Sequence, residues 1–75
     1  MENLIESNPK IMFGKPVIKG TRITVELILE KIAEGETAST VSPSYPHLSR
    51  EQILACVDFA RRFLSLETVH PLQTL

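Results

Sequence analysis

Scarcity narrows the function of this chain before any residue is placed. A single cysteine, Cys56, stands in 75 residues, so no intramolecular disulfide can form. The two histidines, His47 and His70, have no second His or Cys at ligand spacing, and a zinc site would have to be assembled across chains. No carboxylate pair, Ser/His/Asp set or Cys/His set is marked by spacing, and the closed core of so small a domain leaves little room for a pocket. The expectation is a protein that is not an enzyme, with no catalytic residue, no cofactor, no metal and no small-molecule substrate. Apolar residues nowhere run long enough to span a bilayer. The opening Met1-Glu2-Asn3-Leu4-Ile5-Glu6 is acidic and lacks the long apolar core of a secretory signal. A cytoplasmic location without a membrane partner is the simple reading. A net charge of -1 gives no global attraction to DNA, RNA or an anionic membrane.

What is present is enough apolar residue for one core, 43% of the chain, but not for a large one. A domain of 75 residues removes only about 60% of the surface its unfolded chain exposes, so a lone core is marginal. With disulfides excluded and metal disfavoured, a homodimer or a complex with another protein is expected. The distribution of charge is more informative than its sum. From Ser7 to Val25 the ionisable residues are Lys10, Lys15, Lys19 and Arg22, with no acid among them. From Glu26 to Asp58 the balance reverses, with Glu26, Glu30, Glu34, Glu36, Glu51 and Asp58 against Lys31 and Arg50. A basic entry segment and an acidic middle suit reciprocal contacts between chains as readily as nucleic acid.

No repeat, low-complexity tract or linker divides the chain. Residues 1–9 read as an N-terminal segment, 10–66 as one domain and 67–75 as a tail containing Pro71, disordered or an arm that needs a partner. Between Lys10 and Ile23 the pattern predicts short strands at Ile11-Met12-Phe13, Pro16-Val17-Ile18 and Arg22-Ile23, with turns at Gly14-Lys15 and Lys19-Gly20. Strands so short need a helix layer or a partner chain. Thr24 is placed to cap a helix whose apolar face is Val25, Ile28, Leu29 and Ile32, and Gly35 is its stop. Glu26, Glu30 and Glu34 occupy the opposite face. A brief helix can start at Glu36 or Thr37, cut early by Pro43, with Val41 and Tyr45 as core anchors. Ser49 and Gln52 have the spacing of a capping box. The helix they open carries an apolar stripe of Ile53, Val57, Ala60 and Leu64, flanked by Cys56 and Phe63, with Asp58 and Arg62 paired outside.

The run Gly14-Lys15-Pro16-Val17-Ile18-Lys19-Gly20-Thr21-Arg22-Ile23-Thr24-Val25, then a helix ending at Gly35-Glu36, then Tyr45-Pro46-His47-Leu48-Ser49 before another helix, resembles the family called domain of unknown function 433. The likeness covers roughly Ile11 to Ala60, and Gly14, Gly20, Thr21, Arg22, Tyr45 and Pro46 are its structural motif. It implies a mainly α fold: a three-helix, homeodomain-like or winged-helix-like helix-turn-helix bundle with a short N-terminal β-hairpin. It also implies a function, since some members are paired with PIN-like ribonuclease toxins and are regarded as antitoxins. One departure is Ser39-Thr40-Val41-Ser42-Pro43-Ser44, where members carry a segment richer in Glu, Ile and Leu and more favourable to helix.

Two functional readings follow. The first is a non-enzymatic, antitoxin-like partner of a PIN-type ribonuclease toxin that forms homodimers through its N-terminal strands and acts by protein–protein occlusion, with an acidic helix face or the C-terminal arm covering a cationic cleft. The alternative is a DNA-binding transcriptional regulator using the helix after Ser49, with Ser49 on a phosphate and Arg50 and Gln52 on guanine and adenine edges. Lys15, Lys19 and Arg22 are further candidate nucleic-acid contacts on a basic β-ribbon, although such cations ordinarily keep strand edges soluble. Arg22 has the planar fork to hold a carboxylate such as Glu26 or one on a partner chain. The Gly14-Lys15 and Gly20-Thr21 pairs fit neither a P-loop nor a dinucleotide fingerprint. Cys56 reads as a small buried apolar side chain and His47 as part of a turn.

Overall fold

The computed structural model describes residues 3–41, 45 and 48–65, in the order β1 (Ile5–Glu6), β2 (Val17–Ile18), α1 (Val25–Ala33), α2 (Ala38–Val41) and α3 (Arg50–Ser65). The fold is mainly α: three helices and a short antiparallel N-terminal hairpin. Expectations for Pro43, Pro46, His47, His70 and the tail from Glu67 lie outside the described residues.

The strand partner differs from the one the pattern suggests. Ile5 pairs with Ile18 and Glu6 with Val17, so β1 comes from the N-terminal segment and not from Ile11-Met12-Phe13. Ile11 cannot serve as a strand residue because its backbone is spent locally: its N–H donates to Asn8 O at 2.8 Å and its carbonyl accepts from Gly14 N at 3.1 Å. Burial explains the choice of partner, since Ile5 enters the core whereas Phe13 has nothing to pack on and is 97% exposed. On the other flank of β2, Arg22-Ile23 forms no strand; a single bridge joins Val17 to Thr24, closed by Ile18 N to Ile23 O at 2.9 Å. The turn between carries Gly20 at φ +80, a value that only glycine adopts without cost. Thr21 locks this turn, its hydroxyl donating to Ile18 O at 2.7 Å and accepting from Ile23 N at 3.0 Å.

Helix α1 starts and stops where its ends are chemically satisfied. Thr24 Oγ1 accepts from Leu27 N at 3.0 Å, removing one orphan amide of the first turn. At the other end Gly35, at φ +100, donates to Ile32 O, and Glu36 N donates to Lys31 O, the pair of bonds of a Schellman motif. Val25 and Ile28 are buried, and Leu29 and Ile32 pack partly buried against the same cluster. Helix α2 does form, over Ala38–Val41. Thr37 opens it, exchanging bonds with Thr40: Thr40 N to Thr37 Oγ1 at 3.3 Å and Thr37 N to Thr40 Oγ1 at 2.7 Å. Its single core residue is Val41, fully buried.

Helix α3 spans the domain, about 24 Å at 1.5 Å per residue. Its capping box is present in both directions, Gln52 N to Ser49 Oγ at 3.1 Å and Ser49 N to Gln52 Oε1 at 2.7 Å. The buried stripe is rotated from the expected one. Ile53 and Cys56 are wholly inside with Ala55 and Phe59 beside them, whereas Val57 is 39% and Leu64 63% exposed. Cys56 therefore lies at the centre of the helix contact and does not flank it. The core joins Ile5, Ile18, Val25, Ile28, Val41, Leu48, Ile53 and Cys56, with Tyr45 packed half-buried against it.

Candidate functional site

Two faces of the domain present chemistry to solvent. The first is built by α1. A nine-residue helix with one apolar side leaves the other to Glu26, Glu30 and Glu34, all exposed. Glu26 pairs with Lys15, Nζ to Oε1 at 3.1 Å, and Glu34 lies 3.9 Å from Lys31 Nζ. Glu30 makes no ion pair with a described residue.

The second face lies where α1 and α3 diverge. Lys15, Pro16, Val25, Glu26 and Leu29 form one wall, and Phe59, Ala60, Phe63 and Leu64 the other, of an open, mainly apolar groove of about 480 Å³. The rings of Phe59 and Phe63 stack in an offset pair with centroids 6.4 Å apart, which stiffens the α3 wall. Phe63 remains 55% exposed. The sequence held a signal for this surface. Apolar residues occupy 53–57, 59, 60, 63 and 64 of α3, more than one helix face can bury.

The candidate site residues fall into separate groups. Lys15 is an element of the groove rim and pairs with Glu26 at the surface. Lys19 is exposed in the Gly20 turn, where its N–H extends the sheet to Leu4 O at 2.8 Å. Arg22 is exposed and forms no ion pair with a described residue; the expected bridge to Glu26 is taken by Lys15. Arg50 is exposed at the start of α3, next to Ser49 and Gln52, which are engaged with each other. Gln52 Oε1 is occupied by the Ser49 N–H, leaving its amide hydrogens as the free recognition group. Gly14 at φ +83 closes the turn before Lys15.

Two groups on α3 have altered acidity. Burial pushes the Cys56 thiol up to about 11, a protonated and unreactive state at neutral pH. The Arg61 hydrogen bonds hold the Asp58 carboxyl below its ordinary range, aided by the charge of Arg62 and opposed by partial desolvation. Arg61 reaches Oδ1 at 3.0 Å and Arg62 reaches Oδ2 at 2.9 Å, so one carboxylate joins both arginines. Among the described residues no three His, Cys, Asp or Glu side chains converge to hold a metal. No described helix is long and apolar enough to cross a membrane.

These features define a small helical module with a β-hairpin brace and solvent-facing acidic and apolar surfaces. A family model, "Protein of unknown function (DUF433)", matches residues 5–60, and the chain belongs to that family. The matched range begins at Ile5, the first core residue. A relative, "Uncharacterized protein y4eO" of Sinorhizobium fredii (strain NBRC 101917 / NGR234), is 32% identical over 50 residues, covering 67% of this chain and 23% of its own length. The crystal structure of a DUF433 member from Anabaena variabilis ATCC 29413 superposes with a TM-score of 0.78 at 23% identity, over 87% of this chain and 64% of that one. That likeness is one of fold. The chain spans about a quarter of the length of the first relative and under two thirds of the second.

Proposed function

We propose that this protein is a non-enzymatic interaction module, the antitoxin-like partner of a PIN-type ribonuclease toxin, and that it acts by covering the nuclease's substrate cleft. The observation that supports this reading is the exposed acidic face of α1, Glu26, Glu30 and Glu34. Like charges four residues apart cost a helix a few tenths of a kcal/mol per pair. A cleft that binds RNA is cationic, and an acidic helix laid into it meets opposite charge while excluding the polyanion.

Co-expression of the chain with a PIN-type ribonuclease from its own genome, taken from the neighbouring reading frame if one is encoded there, tests the proposal. The two should co-elute, RNA cleavage should fall with added chain, and Glu30→Lys with Glu34→Lys should restore cleavage. A chain that purifies from its native cell without a nuclease, or that leaves cleavage unchanged in excess, refutes it.

DNA binding through α3 has weaker support. The described part of helix α2 is four residues, about one turn, where a DNA reader needs a first helix to brace on the backbone. Ser49 and Gln52 spend much of their hydrogen-bonding capacity on the cap. A shift assay at low salt separates the readings: a regulator binds and loses binding on Arg50→Ala and Gln52→Ala, whereas an occluding module does not bind.

A further inference from the structure

Phe13 stands in a conformation that no contact with a described residue explains. It sits in a 3₁₀ turn at Met12–Gly14 in which three successive residues have left-handed backbone, Met12 at φ +50, Phe13 at +58 and Gly14 at +83. Two of the three are not glycine, and a bulky side chain there is costly. The turn is nevertheless held, by Gly14 N to Ile11 O and Lys15 N to Met12 O, each at 3.1 Å. What the turn achieves is to present the Phe13 ring, 97% exposed, two residues from Lys15 on the groove rim. Two residues of chain span at most about 7 Å, so the backbone that carries this ring lies beside the groove rim.

We propose that the α1/α3 groove is a self-association site, in which Phe13 of each copy enters the groove of the other between Leu29 and Phe63. The proposal rests on the reading of this chain as a self-associating module and names the surface involved. An exposed aromatic knob beside an apolar hole suits a two-fold interface, because the knob of each copy can fill the hole of the other. The rim is complementary in the same way. Lys15 and Glu26 are both largely exposed, and each can exchange its partner for its counterpart across the axis.

Area favours a second copy too. An aromatic side chain offers on the order of 200 Å², so Phe13 and the exposed half of Phe63 contribute about 300 Å² per copy. Doubled by symmetry and joined by Leu64 and Met12, the face reaches the roughly 1,000 Å² that a specific interface needs. The sheet is less suited to the task. β2 is paired on both flanks, by β1 and by Thr24, and β1 offers a free edge only two residues long.

Sedimentation of the full chain at micromolar concentration, alone and with Phe13→Ala, Phe63→Ser or both, tests the site. The wild type should be dimeric. Each single variant should weaken the dimer on the order of 30-fold or more, the range of an aromatic hot spot, and the double variant should be little worse than either because they remove one contact. Phe13→Ala decides the matter, since a ring that touches so little of its own chain can be removed without unfolding it; unchanged far-ultraviolet circular dichroism checks this. A monomeric wild type, the result expected if the chain's own C-terminal residues or a foreign protein fill the groove, overturns both self-association and the site. A dimer indifferent to Phe13→Ala overturns the site alone and leaves self-association to another surface.

Discussion

Phe13 trades local stability for exposure, and that trade is measurable in one residue. Glycine adopts φ +58 freely, so Phe13→Gly should raise the folding stability of the monomer by up to about 1 kcal/mol, net of the extra entropy glycine loses. The same substitution should weaken the dimer. Urea unfolding below the association range, beside sedimentation above it, would show the opposite signs. Cys56 offers a second test. Its thiol is pushed up to about 11 from an ordinary 9.0, because it is wholly buried among apolar side chains. A thiol that resists ionisation when folded favours the native state fully below the unfolded value, and loses that preference as pH rises towards 11. The Cys56 contribution to stability should therefore decline by about 2 kcal/mol between pH 9 and 11. Cys56→Ala should flatten that limb of the curve. Asp58 acts at the other end of the pH scale. Its depressed pKa, caused first by Arg61 and then by Arg62, contributes stability at neutral pH that fades as pH falls through the folded value. A carboxyl titration followed by carbon NMR should place Asp58 below the ordinary aspartate range, and Asp58→Asn should blunt acid unfolding.

At the scale of elements, the helix ends were the most legible part of the chain. Thr24 and the Ser49/Gln52 box bind the amides their spacing predicts, because a cap is a local bond between neighbours in sequence. Each should therefore matter by a local amount. Thr24→Ala or Ser49→Ala should lower stability by about 1 kcal/mol, and Thr24→Ser much less, in chemical denaturation. Strand pairing was less legible, because it is decided by which distant residue can be buried. Ile5 and Ile11 are equally apolar in sequence, and only the fold shows that Ile5 meets Ile18 while Ile11 is consumed by the Asn8 turn. The apolar stripe of α3 was misphased for a related reason. With apolar residues over more than half the circumference of the helix, periodicity alone leaves open which part of that arc faces α1, and Cys56 sits inside in place of Val57 and Leu64. The groove itself could not be read from sequence, since its walls come from the Lys15 loop, α1 and α3 together. Its traces were a surplus of apolar residues on α3 and a Phe beside Gly14.

The whole molecule is small enough that its stability and its association are one problem. Nine residues form the buried core among the described residues, while Phe13, Leu54, Val57, Phe63 and Leu64 remain substantially exposed. An assembly that covers this surface is favoured by mass action, because the partner binds the folded chain and not the unfolded one. If the groove closes on a second copy, unfolding also separates two chains, and the melting temperature must rise with concentration. A chain of 75 residues has an unfolding enthalpy of about 50 kcal/mol near 60 °C, so about 100 kcal/mol per dimer. With that enthalpy, each tenfold increase in concentration should raise the wild-type midpoint by about 4–5 °C. In Phe13→Ala the midpoint should be nearly independent of concentration over the range in which the wild type is dimeric. Calorimetry across three concentrations of each protein supplies the measurement. A wild-type midpoint that does not move would mean that this core, small as it is, is stable alone, and that its exposed apolar face answers to something other than itself.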